Sequence, residues 1–229
     1  MCKIQMGLAG VLIACCSALQ SHAVVIDFTG GTVTRLDATT ETTNNLVNWD
    51  NVDYYEEGGF RLDFIPNAGS SGFSTQVGNY YGALNDVIHS HWDTGDFGDV
   101  MSIEITKIGG GTFDLNYFLL TSNTDTGGSL ASGFEQAYIE GFNSNVSTGA
   151  ALLLPPEDWG FPAVPIVLGS AFNVVDKVVF TVTNPVDCFG MDEFFIDEPG
   201  PDIPEPASLA LLLGSIGLVF VFYHQRKRG

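Results

Sequence analysis

One stretch of the chain combines the residue types that could bind a metal. Asp93, Asp96 and Asp99 follow at three-residue intervals, and His89 and His91 precede them. The carboxylates could converge on a hard cation, and two imidazoles on one side of a strand could bind a transition metal. A catalytic zinc site requires a third protein ligand, and the other two histidines lie near the ends of the chain. We therefore predict an exposed polar loop here.

Aromatic side chains could provide a second kind of site. Flat aromatic faces stack on sugar rings while neighbouring polar groups bind the hydroxyls. The candidates, which lie among polar and turn-forming residues, are Tyr54, Tyr55, Tyr80, Tyr81 and Trp92. Exposure of these rings together on one face would indicate carbohydrate binding, whereas burial in the core would indicate a structural role.

The sequence contains no recognisable catalytic motif. It has no G-x-S-x-G, no phosphate-binding glycine loop, no H-E-x-x-H and no catalytic Cys–His pairing. Two carboxylates held about 5–10 Å apart can hydrolyse glycosides. With 27 acidic residues, however, some pair meets that spacing in almost any fold. We predict a protein that is not an enzyme, and a glycan hydrolase or lyase is the weakest alternative.

The elements that position these residues read as β-strands. Short runs rich in β-branched and aromatic residues alternate with Gly, Asn, Asp, Ser and Thr clusters, which is typical of an all-β fold. Residues 60–65 alternate apolar and charged side chains, and so predict a half-buried strand. Residues 100–108 and 112–121, separated by three glycines, predict a hairpin. Residues 30–45 read as a loop or an irregular ribbon, and residues 66–78 read as turn.

The charge of the chain is strongly one-sided. Residues 24–202 contain 26 acidic residues against four basic ones, a net charge of −22. Such a surface repels nucleic acid, whose binding depends on basic contacts to phosphate. Cys188 is the one cysteine of this segment, so it has no internal partner for a disulfide.

The first 23 residues are predicted to be a signal peptide. Lys3 precedes an apolar stretch, and Ser21-His22-Ala23 is a small-residue site that predicts cleavage after Ala23. Leu12-Ile13-Ala14-Cys15 also resembles a lipoprotein lipobox, so a lipid-modified Cys15 is the alternative. Either interpretation predicts export.

Residues 203–229 form a second targeting segment. Pro204, Glu205 and Pro206 precede an apolar run, residues 207–223, and the basic end, residues 224–229, contains Arg226, Lys227 and Arg228. Seventeen helical residues reach roughly 25 Å, which nearly spans a bilayer core, and the basic end would stay in the cytoplasm.

This order of proline-flanked glutamate, apolar helix and basic cluster resembles the PEP-CTERM sorting tail of Gram-negative bacteria. The resemblance implies recognition by an exosortase-like membrane protease. It also implies an inner-membrane precursor and delivery to the outer surface or an exopolysaccharide matrix. An ordinary membrane anchor is the alternative.

Residues 24–202 resemble the jelly-roll ectodomains of such proteins and of carbohydrate-binding modules. The resemblance rests on strand-like runs such as residues 26–28, 137–142, 178–182 and 189–197. It implies a jelly-roll-like β-sandwich in which a structural Ca²⁺ ties the first strand to the last. The matching positions are Asp27 and Asp192, with Asp187 or Glu193 as neighbours. The predicted function is a structural or adhesive matrix protein, and a module that binds exopolysaccharide is the alternative.

Overall fold

The protein is an all-β structure built from two antiparallel sheets. The computed structural model describes residues 23–68, 75–79, 87–93, 98–125, 129–130, 137–149, 152–153, 164–182 and 188–197. Within these ranges the helical structure is a single 3-10 turn, Ser170–Phe172, and no helix that could span a membrane is found. The predicted signal peptide up to residue 22 and the predicted sorting tail, including residues 207–223, lie outside the described residues.

The first sheet contains both the first and the last strand of the fold. Its neighbouring strands are, in order, β11 (Ser129–Leu130), β10 (Leu115–Asp125), β17 (Cys188–Ile196), β8 (Val87–His91), β7 (Thr75–Gly78) and β4 (Asn48–Asp50). Two further strands pair beside this path: β1 (Val24–Ile26) with β17, and β15 (Val164–Val167) with β10. The expectation that the first strand lies beside the last is confirmed, with Ile26 opposite Phe194.

The second sheet is formed by the remaining strands. Their order is β13 (Val146–Ser147), β12 (Ala137–Asn143), β16 (Lys177–Val182), β9 (Val100–Lys107), β6 (Phe60–Pro66), β5 (Val52–Glu57), β2 (Thr32–Arg35) and β3 (Thr40–Thr42), and β14 (Leu152–Leu153) pairs with β12. Along β6, Phe60, Leu62 and Phe64 are buried while Arg61 and Asp63 are half-buried. This confirms the alternation read from the sequence, since successive strand residues face opposite sides of a sheet.

The two sheets share one hydrophobic core that is rich in phenylalanine. Phe118 of β10 and Phe194 of β17 come from the first sheet, and both contact Phe180 of β16 in the second. Phe28, just after β1, lies between Phe194 and Tyr55 of β5. All five rings are fully buried. Contacts of this kind across two facing sheets are those of a β-sandwich-like fold.

The predicted hairpin around the three glycines is wrong. The strand before them, β9, pairs with β6 and β16 in the second sheet, whereas the strand after them, β10, pairs with β17 in the first. Gly109, Gly110 and Gly111 all have positive φ angles, which L-residues rarely adopt. Such a turn can carry the chain from one sheet to the other as readily as back along the same sheet.

Residues 66–78, read as turn, in fact contain the strand β7, while residues 30–45, read as a loop or an irregular ribbon, form the antiparallel pair β2 and β3. The strand β5 was not recognised either, although Val52 and Tyr55 are buried in it. These strands are short and rich in Thr and charged residues, so they gain order from pairing with neighbours rather than from their own apolar pattern.

Candidate functional site

Three carboxyl groups interact where the first strand meets the last. Asp27 follows β1 directly and is exposed, and its charge acts on both Glu57 at the end of β5 and Glu193 of β17. Asp27 also hydrogen-bonds to Glu57 through its side chain. Glu57 belongs to the second sheet, because it is the last residue of β5, so residues of both sheets meet at this junction.

Glu57 is held in place by groups from three segments. One of its carboxylate oxygens accepts hydrogen bonds from the backbone N–H of Phe28 at 3.0 Å and from the hydroxyl of Tyr55 at 2.8 Å. The Tyr55 hydroxyl is also 3.2 Å from that of Thr43 and fits against Gly31, where any Cβ would collide with it. The glycine therefore leaves the space in which Tyr55 reaches Glu57.

Burial raises the pKa of Glu57 to about 7. The hydrogen bond from Tyr55 opposes this rise and the negative charge of Asp27 adds to it. Burial followed by the charge of Asp27 also raises the pKa of Glu193. Near neutral pH, Glu57 thus carries a proton in about half of the molecules, because a carboxyl group beside another carboxylate resists ionisation.

This arrangement does not match the geometry of a glycoside hydrolase. Such enzymes hold two carboxyl groups roughly 5–10 Å apart so that substrate or water fits between them. Asp27 and Glu57 instead interact directly, since a side-chain hydrogen bond between them contributes to the raised pKa of Glu57. The interaction favours a protonated carboxyl group.

The two residues predicted to hold calcium have different surroundings. Asp27 is exposed, whereas Asp192 is only 5% exposed and lies in β17 where its register against β10 shifts. Such an irregularity re-aims side chains. In the described ranges no three His, Cys, Asp or Glu side chains are arranged to hold a metal ion. Calcium binding by Asp27 and Asp192 stays a prediction.

Two of the three candidate aromatic residues that the structure describes lie in the core. Tyr55 and Trp92 are fully buried, which is the outcome that indicates a structural role for these two rings. Tyr55 lies on the inward side of β5, a strand that the sequence analysis had not recognised. Tyr54 faces outward, but the guanidinium of Arg61 covers its ring at 3.6 Å from the centroid. Tyr80 and Tyr81 lie outside the described residues.

The His- and Asp-bearing stretch begins as a strand rather than as an exposed loop. His89 is fully buried in β8, and its ring meets that of half-buried His91 edge-on at 5.6 Å. Burial, and then the charge of His91, lower the pKa of His89 to about 3. Asp93 is exposed and Asp99 half-buried, while Asp96 lies outside the described residues. The prediction of an exposed loop is therefore wrong for the two histidines, which pair into the sheet.

Glu57 is the residue of this junction that the sequence analysis missed. It occurs in Tyr54-Tyr55-Glu56-Glu57, which had been read as exposed. Assigning a strand here would have placed Tyr55 and Glu57 on the same side of that strand. An acidic residue on the same side as a buried tyrosine is the signal that could have identified Glu57. Glu193, in contrast, was named beforehand as a neighbour of the Asp27 site.

Comparison with known proteins identifies no family. No protein-family model matches the chain, and no curated protein matches it. Among solved structures, the isomalto-dextranase of Arthrobacter globiformis T6 complexed with panose is similar at 10% sequence identity and a TM-score of 0.26. The match covers 77% of this chain but only 32% of that enzyme. A likeness this weak carries no inference about fold or function.

Proposed function

We propose that this protein is an exported, non-catalytic β-sandwich of the cell surface or extracellular matrix of a Gram-negative bacterium. It is sorted by an exosortase-type system, and its inner-membrane precursor is anchored by residues 207–223. The observation that carries the proposal is the sequence of the tail. Pro204-Glu205-Pro206, the apolar run and Arg226-Lys227-Arg228 occur together and in the order that resembles PEP-CTERM proteins.

The described structure supports a structural or adhesive role over an enzymatic one. The buried aromatic rings hold the two sheets together, and Asp27 and Glu57 touch each other rather than flank a cleft. Residues 24–202 contain four basic residues. Three of them, Arg35, Arg61 and Lys177, form ion pairs with glutamates. The excess acidic charge favours solubility and repulsion between copies outside the cell.

The sorting proposal is tested by replacing Pro204, Glu205 and Pro206 with alanine. In a host that has an exosortase, we expect the unprocessed precursor to accumulate in the inner membrane, because the protease loses its recognition sequence. Fractionation and immunoblotting of the inner membrane, outer membrane and medium measure this directly.

A matched control lies a few residues earlier in the chain. Replacing Glu198, Pro199 and Pro201 with alanine removes one glutamate and two prolines as well, but leaves the tripeptide intact. We expect this variant to be processed like the natural protein. Normal maturation of the tripeptide variant would show that residues 207–223 are an ordinary anchor.

The finer parts of the proposal are a jelly-roll topology and a bound calcium ion. Equilibrium dialysis against Ca²⁺, with the natural protein and with Asp27→Asn, tests the second of these. Equal binding by both proteins would remove Asp27 from any calcium site. The alternative function is binding of exopolysaccharide.

A further inference from the structure

The chain enters and leaves the described sandwich at the same end. Val24, the first residue of β1, pairs with Ile196, the last residue of β17. The N–H of the next residue, Asp197, donates to the carbonyl of Asp114 at 2.8 Å, which fixes the position from which the chain continues. The predicted leader and the predicted sorting tail therefore connect to the domain at neighbouring positions.

Turns of the second sheet lie at this same end. Gly58 follows β5 and packs so closely on the side chain of Val24 that a Cβ at Gly58 would collide with it. The N–H of Ile108, which follows β9, donates to the carbonyl of Gly59 at 2.8 Å. Ile108 is thus joined through one short turn to the strand on which the leader ends.

Two more segments meet there. Val175 and Phe113 exchange backbone hydrogen bonds of 2.8 and 3.0 Å, which places the segment before β16 beside the residue that precedes Asp114. The side-chain amide of Asn143, at the end of β12, donates to the carbonyl of Val174 at 3.1 Å. The hairpin between β12 and β13, which contains Val146, therefore lies beside Val174.

Each of these three neighbouring segments exposes a large apolar side chain. Ile108 is 52% exposed, Val146 68% and Val174 57%, and these three residues define what we call the tail-side end. Polar residues would serve such turns as well. Single exposed apolar residues are common on protein surfaces, but several of them together mark a surface that contacts something else.

The chain between the tail-side end and the predicted membrane helix is short. Residues 198–206, nine residues, connect Asp197 to residue 207. Fully extended, nine residues reach at most about 30 Å. When residues 207–223 span the bilayer, the tail-side end stays within that distance of its surface. A tether of this length gives an effective concentration on the order of millimolar, so even a weak contact forms.

The charges at this end indicate which kind of lipid would be contacted. Asp114, Asp176 and Asp197 are half-buried there, and Lys107 precedes Ile108. Asp197 accepts a hydrogen bond from the N–H of Asp114 at 2.9 Å, and Asp176 accepts one from the N–H of Ser144 at 2.6 Å. Residues 24–202 also carry a net charge of −22, which repels anionic headgroups. Neutral headgroups permit an apolar contact without this repulsion.

We propose that the tail-side end contacts the surface of a bilayer of neutral phospholipids, with the side chains of Ile108, Val146 and Val174 at the boundary between headgroups and acyl chains. This inference rests on the proposed function, because the tail must anchor the protein for the tether to act. It adds an orientation of the domain, in which β9 leads away from the bilayer. Met101, near the start of β9, then lies up to about 23 Å farther from the lipid than Ile108.

The test places a tryptophan at either end of β9 in the full-length protein, reconstituted into vesicles of phosphatidylcholine and phosphatidylethanolamine. Lipids brominated on their acyl chains quench a tryptophan that they contact, and the natural protein gives the background fluorescence. Met101→Trp is the matched control for Ile108→Trp, since Met101 is 47% exposed on the same strand. We expect brominated lipid to lower the added fluorescence of Ile108→Trp by at least about twofold and to leave that of Met101→Trp unchanged.

A second set of variants tests whether the contact is apolar. Val174→Trp serves as the reporter, and Ile108→Asp is added to it, because a carboxylate resists entry into the bilayer. We expect the quenching of the reporter to fall by at least about twofold, whereas Met101→Asp should leave it unchanged. All three side chains are exposed, so none of these changes opens the core. Quenching that persists with Ile108→Asp, or that disappears in about 1 M NaCl, would contradict an apolar contact.

Anchoring by the tail is measured separately, by alkaline carbonate extraction of the same vesicles. Release of the natural protein would overturn both the anchor in the proposed function and this inference. Retention of the protein with equal quenching of Ile108→Trp and Met101→Trp, or with quenching of neither, would overturn this inference alone. The vesicles contain no exosortase, so a surface that contacts the protease rather than the lipid would give no quenching at either position.

Discussion

Replacing Phe194 with alanine is expected to lower the free energy of unfolding by about 3–5 kcal/mol. The Phe194 ring contacts Phe118 at 5.6 Å, Phe180 at 5.7 Å and Phe28 at 6.1 Å between centroids. Removing it opens a cavity where the two sheets meet, and the surrounding rings can fill it only in part. Because domains are stable by about 5–15 kcal/mol, this one change removes a large share of the total.

The matched control is the next residue along the same strand. Phe195 faces the other way, is half-buried, and stacks on Tyr117 at 3.9 Å between ring centroids. Phe195→Ala should cost about 1 kcal/mol, the loss of one aromatic pair at the surface. Urea unfolding followed by the fluorescence of buried Trp49 and Trp92 measures both variants. Equal losses for the two variants would show that Phe194 does not join the sheets.

The second large effect is a pair of opposite pH dependences. Glu57 has a pKa raised from 4.5 to about 7 in the folded state. Between these values the folded protein binds more protons than the unfolded chain, so its contribution to stability falls as pH rises. The loss is about 1–2 kcal/mol once the partial exposure of Glu57 is allowed for.

His89 acts in the other direction. Its pKa is lowered from 6.5 to about 3 in the folded state, so the unfolded chain binds the extra proton between these values. Stability therefore rises with pH over this window, by about 5 kcal/mol because the imidazole is fully buried. From about pH 4.5 to 6.5 the two contributions oppose each other.

Single substitutions should separate the two contributions. The Glu57→Gln variant lacks the contribution that falls as pH rises, so we expect the free energy of unfolding of this variant to rise from about pH 3 to 6.5. The His89→Gln variant lacks the contribution that rises with pH, so its free energy of unfolding should fall from about pH 4.5 to 7. Urea titrations at a series of pH values measure the slopes, which are informative even if a variant is less stable throughout. Parallel profiles for the two variants would contradict these assignments.

The β-class and much of the inward-facing core could be read from the residues alone. In β6 and β9 the apolar positions recur with period two, and Leu62 opposite Ile105 is buried as that pattern predicts. Continued from buried Phe113 and Leu115, period-two alternation would bury Tyr117 as well, but Tyr117 is half-buried and stacks on Phe195. The register of β10 against β17 shifts between Leu115 and Tyr117, and one extra residue exchanges the two faces of a strand.

The candidate site could be predicted only in part. Asp27 and Glu193 were named because the jelly-roll resemblance implies a calcium site between the first strand and the last. Glu57 lies 29 positions after Phe28, whose N–H donates to it, and nothing in the intervening sequence specifies that contact.

The sequence by itself determined the strand-forming character of the chain and its excess of acidic residues, because composition and local spacing specify these directly. Only the tertiary structure decided which strands share a sheet and which of 26 acidic residues meet at Asp27. The physical reason is that period-two alternation reports which side of a strand is buried but carries no information about the strand lying beside it.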